Sequence, residues 1–322
     1  MKRVRILYII GPTRSGSTLL SRFLNECPGV VSVGEVVSLD VALQSSRLQA
    51  RARGDGGSTF VPNDAAEDAA RRRSALCGCT LPLHECPIWG RVEACAFGDP
   101  PDYSRWSWEA KRPGVGQFLL EGSRGWLERN ARTLGGIAES VYRELERLTD
   151  AQVIVDESKT PLYGYFLMNQ PWADVVPVRL VRDPRATTAS WSRAKSHPGV
   201  EGGRMPTHSS VVCSIDWLKR VVLADRLFRG SPLVRYEDFV AAPAHVVNRL
   251  LAATGLEVEP PDQDRAVTVA FGTNHILAGN PDKFERGGVR IRPPSDWSET
   301  LRPGARAVVT AATLPLLRRY GY

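Results

Sequence analysis

Residues 9–20 read IIGPTRSGSTLL. Gly11 and Gly16 are separated by four residues and followed directly by Ser17 and Thr18. This is the spacing of a loop that wraps a phosphate in backbone N–H groups. Ser17, however, stands where the triphosphate-binding form of the loop carries its lysine. The apolar run RILYIIG (5–11) leads in, and a helical stretch from Ser17 to Cys27 leads out. A strand–loop–helix junction places amide N–H groups and the positive end of a helix at one point, which favours an anion whatever the side chains are. Arg14, inside the loop, supplies the cation that the missing lysine would have given.

Outward from this loop the same rhythm repeats. AQVIVDE (151–157) precedes a helical stretch from Pro161 to Gln170, VVPVRLVRD (175–183) precedes Pro184–Lys195, and SPLVRYED (231–238) precedes Phe239–Thr254. Continuous apolar strands alternating with helices predict an α/β fold: a mostly parallel sheet with helices on both faces. A ligand then belongs at the carboxyl ends of the strands. Residues 41–130 break the rhythm and are expected to form an insertion in a single domain spanning 1–322, partly flexible and set over the sheet edge. Residues 300–318 read as a closing helix.

Composition narrows the partners. Of 42 basic residues only six are lysine, and the net charge is +7. An excess carried by arginine suits phosphate or sulfate, which the guanidinium grips bidentately. Arg71-Arg72-Arg73 is the only tight basic run and sits in a polar stretch, so nucleic acid is not expected. No apolar run has the roughly 20 residues of a membrane helix. The first apolar run passes straight into the loop rather than forming a signal-peptide core, so a cytoplasmic location is expected.

The second motif is LVRDPRATTASWS (180–192). Arg182 ends a strand, Pro184 opens a helix, and Ser190 follows eight residues after Arg182. Alone, Arg182 could simply pair with Asp183. Together with the loop, the sequence resembles the sulfotransferases that use 3′-phosphoadenosine-5′-phosphosulfate (PAPS), and PTRSGST is closest to the carbohydrate and tyrosylprotein branches. The resemblance implies a P-loop-like phosphosulfate site formed by Arg14, Ser15, Gly16, Ser17 and Thr18, with Arg182 and Ser190 on the 3′-phosphate. VRYEDFVAAP (234–243) is similar to a family segment that would set Tyr236 near the adenine, although Tyr236 also reads as a core aromatic. FERGGVRIRPP (284–294) matches the basic glycine loop that closes over the 3′-phosphate, with Arg286, Gly287 and Gly288 at the matching positions and Asn280 a weaker candidate nearby. The resemblance covers both ends and the middle of the chain and stops at 41–130.

The implied reaction moves a sulfuryl group from PAPS to an acceptor hydroxyl, leaving the desulfated product PAP. It needs a base for the hydroxyl proton and cations at the sulfonate and leaving phosphate, and no metal is required. The resemblance makes Lys159, in DESKTP, a lysine beside the leaving group; a solvent-exposed lysine is the plain reading. It makes Glu35, 21 residues past Arg14, the base; a salt-bridge partner is the plain reading. A sugar, glycolipid or natural-product hydroxyl would suit as acceptor. The rival reading is a P-loop kinase or NTPase, using the Gly11–Thr18 loop and Asp156, at the end of an apolar strand, for a magnesium nucleotide.

Two features remain. LCGCTLPLHECPIW (76–89) offers Cys77, Cys79, His84 and Cys86, either as zinc ligands or as thiols packed in a small sub-core. Trp89, Tyr103, Trp106 and Trp108 fall within the insertion and are expected to face the acceptor, with packing of the insertion itself as the alternative.

Overall fold

The structure, a computed structural model, describes residues 2–54, 75–106, 115–193, 207–257, 268–291 and 297–322. The chain begins with β1 (Val4–Ile10), α1 (Ser17–Asn25), β2 (Val30–Gly34) and α2 (Leu39–Gly54). It continues through α3 (Trp89–Phe97), α4 (Val115–Thr149), β3 (Val153–Lys159), α5 (Pro161–Met168), β4 (Ala173–Val181) and α6 (Pro184–Ser192). The last elements are α7 (Ser210–Leu227), β5 (Leu233–Arg235), α8 (Tyr236–Ala241), α9 (Pro243–Ala253), β6 (Thr268–Phe271), β7 (Gly287–Arg290) and α10 (Pro303–Tyr320).

Five strands form one sheet in the order β2-β3-β1-β4-β5, and every pairing in it is parallel. β1 lies at the centre because it is apolar on both faces: Ile6, Tyr8 and Ile10 enter one core while Leu7 and Ile9 enter the other. From β1 the chain crosses first towards β3 and β2 and later towards β4 and β5. The carboxyl end of β1 is therefore the switch point at which open parallel sheets bind ligands. The α/β expectation holds. β6 and β7 make a separate antiparallel pair.

The inserted region differs from its expected form. Within residues 41–130, expected as an insertion over the sheet edge, Leu43, Leu83, Trp89, Val92, Trp106 and Trp126 belong to the same core as Ile6 and Tyr8 and thicken one face of the sheet. The boundary at residue 130 falls inside α4, which breaks at Gly122 (φ 70°, ψ 162°) and then runs on to Thr149. Trp89 and Trp106 are fully buried. Trp106 packs edge-on against Phe97 and Tyr163, with ring centroids 6.4 and 6.3 Å apart. The Tyr103 hydroxyl donates to Glu93. These three aromatics pack the insertion instead of facing an acceptor; Trp108 and Arg71–Arg73 lie outside the described residues. No described helix is long and apolar enough to cross a membrane.

Candidate functional site

Past β1 the chain turns through Gly11–Gly16 and enters α1 at Ser17. Gly16 holds φ +90°, and a Cβ there would collide with the Tyr236 ring, so the loop can close against that ring only with glycine. Arg14 also adopts a left-handed backbone (φ 63°). Its guanidinium carbon lies 4.6 Å from the centre of the Trp191 ring, and its Nη1 donates to Asn280 Oδ1 at 3.4 Å. Beneath the loop, Glu157 is fully buried and accepts from Thr18 Oγ1 at 3.2 Å.

Lys159 ends β3 with φ 62° and, contrary to the plain reading, is buried. Its Nζ donates to Glu35 Oε1 at 2.7 Å and to the Glu157 carbonyl oxygen at 3.0 Å. Burial alone would push the ammonium to release its proton. The Glu35 and Glu157 carboxylates outweigh that and hold Lys159 above the usual lysine range. Glu157 shifts upward, chiefly through desolvation. Glu35 follows β2 and is placed by its backbone N–H, which donates to Leu277 O at 3.1 Å.

At the end of β4, Arg182 stacks over Tyr236, its guanidinium carbon 4.2 Å from the ring centre, and its Nη1 donates to Arg14 O at 3.3 Å. Among the described residues its Nε is buried without a hydrogen-bond partner. Asp183 pairs with Arg185 at 2.8 Å and caps α6, so it is not the partner of Arg182.

These groups meet in one cavity of about 1120 Å³ at the carboxyl ends of the strands. Arg14, Gly16, Ser17, Thr18, Glu35, Lys159, Arg182, Ser190, Tyr236, Arg286 and Gly288 all line it. Ser15 is buried and Gly287 opens β7; neither lines it. The sequence reading missed Arg22, Arg193, Arg290, Trp191 and Trp297, which also line the cavity. Arg22 was legible in principle, since it follows Thr18 by one helical turn on the same face. Its guanidinium lies 3.8 Å over Phe271 and donates to Glu285 O at 2.7 Å. Among the described lining residues, seven cationic side chains face three carboxylates. Such a cavity suits a polyanion.

Asp156 does not join them. It is fully buried, accepts from Ser158 N at 2.7 Å and Ser158 Oγ at 2.5 Å, and takes the Tyr142 hydroxyl proton donor on its other oxygen. Desolvation raises it to about 7. An acid engaged in this way, away from the cavity wall, is not placed for a magnesium nucleotide. Among the proposed thiol-site residues, His84 turns away from the cysteines, its Nδ1 lying 2.7 Å from Ser46 Oγ; the imidazole beside the thiols is His275.

No family model matches this sequence, and no curated protein matches it. Solved structures do resemble it. The sulfotransferase domain from the Synechococcus PCC 7002 olefin synthase is 17% identical over 100% of this chain and 96% of its own, with a TM-score of 0.51. The sulfotransferase domain from the curacin biosynthetic pathway is 14% identical over 97% and 98%, with a TM-score of 0.46. The five-stranded parallel sheet, with its loop at the end of β1, is thus the sulfotransferase fold.

Proposed function

We propose that this chain is a PAPS-dependent sulfotransferase that moves a sulfuryl group in line onto a hydroxyl of a sugar, glycolipid or natural product. The observation that carries the reading is the Glu35–Lys159 pair at 2.7 Å, opening into a cation-lined cavity under a glycine loop that has no lysine. The residues fit the donor: the unpartnered Nε of Arg182 and the excess of cations both call for an anion. Arg14, Gly16, Ser17 and Thr18 would hold the 5′-phosphosulfate, Arg182, Ser190, Arg286 and Gly288 the 3′-phosphate, and Tyr236 the adenine side.

Bound PAPS supplies an electrophilic sulfuryl group. Glu35 takes the proton of the acceptor hydroxyl as that oxygen attacks. Lys159 holds Glu35 in place and, with Arg14, offsets the charge that builds on the sulfonate and the leaving phosphate. Fixed cations would do this work in the wall of the cavity.

Calorimetry tests the reading. PAP is expected to bind without magnesium, with EDTA present during the titration, and better than ATP with magnesium. Labelled PAPS offered with a panel of hydroxyl acceptors then identifies the acceptor. Tighter binding of magnesium ATP than of PAP would return the rival kinase.

A further inference from the structure

Outside the cavity, three thiols and an imidazole converge. Cys77, Cys79, Cys86 and His275 each direct one donor atom into a common space, and the four donors all lie within 4.8 Å of one another. The sulfurs of Cys77 and Cys86 are 3.5 Å apart, and those of Cys79 and Cys86 are 3.8 Å apart. His275 Nδ1 is 3.6 Å from the Cys77 sulfur and 3.2 Å from that of Cys86. All three thiols are free; a disulfide would need sulfurs about 2.05 Å apart. A tetrahedral zinc with Zn–S bonds of about 2.3 Å and a Zn–N bond of about 2.0–2.1 Å has edges of about 3.8 Å between sulfurs and about 3.6 Å between sulfur and nitrogen. These four spacings lie within about 0.4 Å of those edges.

We infer that Cys77, Cys79, Cys86 and His275 form a structural zinc site that fastens the inserted segment to the strip of chain beside Glu35.

The local backbone is built for it. Cys77 N donates to Leu81 O at 2.9 Å and Thr80 N to Cys77 O at 2.8 Å, a tight turn that folds Cys79 back beside Cys77. A single 3-10 turn at Leu83–Glu85 then delivers Cys86. His275 is held in place because Trp89 Nε1 donates to its carbonyl at 2.7 Å and Gly78 N donates to Ile276 O at 3.0 Å. A Cβ at Gly78 would collide with Asn274, so glycine allows this approach. Thiol packing alone accounts for buried Cys77 and Cys86. It gives no reason for a half-buried imidazole nitrogen within reach of two sulfurs. Four protein ligands leave no open position, which marks a structural rather than a catalytic ion.

The site has a consequence for the cavity. Two residues beyond His275, Leu277 N donates to Val33 O at 2.9 Å and Leu277 O accepts from Glu35 N. Gly279 and Asn280, just after, line the cavity. The ion would therefore hold the strip that sets the Glu35 backbone.

Elemental analysis of the full chain, purified without added metal and desalted, should find about one zinc per chain. Cys86→Ser and His275→Ala should lose it; His275→Cys should keep it, as should Cys95→Ser, whose thiol is exposed and outside the cluster. Cobalt(II) exchanged into the wild-type chain should give the visible bands of a tetrahedral thiolate site. Stripping the ion with a mercurial should lower Tm by on the order of 10 °C, reversed by zinc. A wild-type chain that carries no zinc as purified, and takes none up when reduced and given zinc chloride, overturns the inference. A full zinc complement in both Cys86→Ser and His275→Ala overturns it equally. Metal content is read without nucleotide or acceptor, so this result stands or falls separately from the proposed transfer reaction.

Discussion

Lys159 Nζ lies 2.7 Å from Glu35 Oε1, joining the end of β3 to the residue after β2 across 124 positions of sequence. The same ammonium lies 3.8 Å from buried Glu157, so one lysine serves two carboxylates. Glu35→Gln keeps the size and the hydrogen bond but removes the base. PAP affinity should stay within about twofold while kcat falls roughly 10²–10⁴-fold. A near-normal kcat in Glu35→Gln would place the base elsewhere. Lys159→Met leaves Glu157 buried without its cation and should cost about 3–5 kcal/mol of stability as well as kcat; denaturant melts measure the first effect.

Arg182→Ala and Ser190→Ala should act on the nucleotide instead. Losing a charge-assisted contact to a buried phosphate costs on the order of 1.5–3 kcal/mol. Both variants should also lose much of the preference for a nucleotide bearing the 3′-phosphate. Calorimetry against paired nucleotides with and without that group decides it, and an unchanged preference would remove both residues from the 3′-phosphate.

Gly16→Ala tests the loop geometry. The added methyl meets the Tyr236 ring at a backbone conformation (φ +90°) that alanine resists. PAP binding should fall at least tenfold. Binding within twofold of wild type would mean that the loop and the ring are free to separate.

Asp156 makes a pH prediction. Its carboxyl is raised to about 7 by burial, against 3.8 for an unperturbed group. The folded state therefore holds a proton that the unfolded chain releases. The associated stability is complete below pH 3.8 and drains away as pH rises to about 7, by about 4 kcal/mol in all. Asp156→Asn should remove this component, so that the wild-type-minus-variant difference in unfolding free energy slopes downward across that window. A flat difference would show that Asp156 is not protonated in the fold.

Trp106→Ala should destabilise the protein by about 3–5 kcal/mol, as deletion of a fully buried aromatic does. The acceptor KM should be unchanged at temperatures where the variant stays folded. A raised KM with wild-type Tm would restore the acceptor role that the sequence suggested.

The loop at 11–18, the parallel sheet and the strand-end positions of Arg182 and Lys159 were legible in the sequence because each rests on neighbours within about ten residues: an apolar run, a glycine, a helix start. The aromatic content of 89–106 was legible too, but not the direction in which it faces. Trp106 became core because α3 and α4 stack on the sheet face that carries Ile6 and Tyr8, and residue spacing does not encode that packing. Tertiary structure likewise decided the pairs. Glu35 meets Lys159 because β2 lies beside β3, and Asp183 turns to Arg185 because it caps α6. His275 joins Cys77 from 198 residues away, while His84, only two residues before Cys86, turns to Ser46. Chain-local chemistry sets which residues are able to act; strand order and packing set which of them meet, because those contacts form only when distant segments are brought together by burial of their apolar faces.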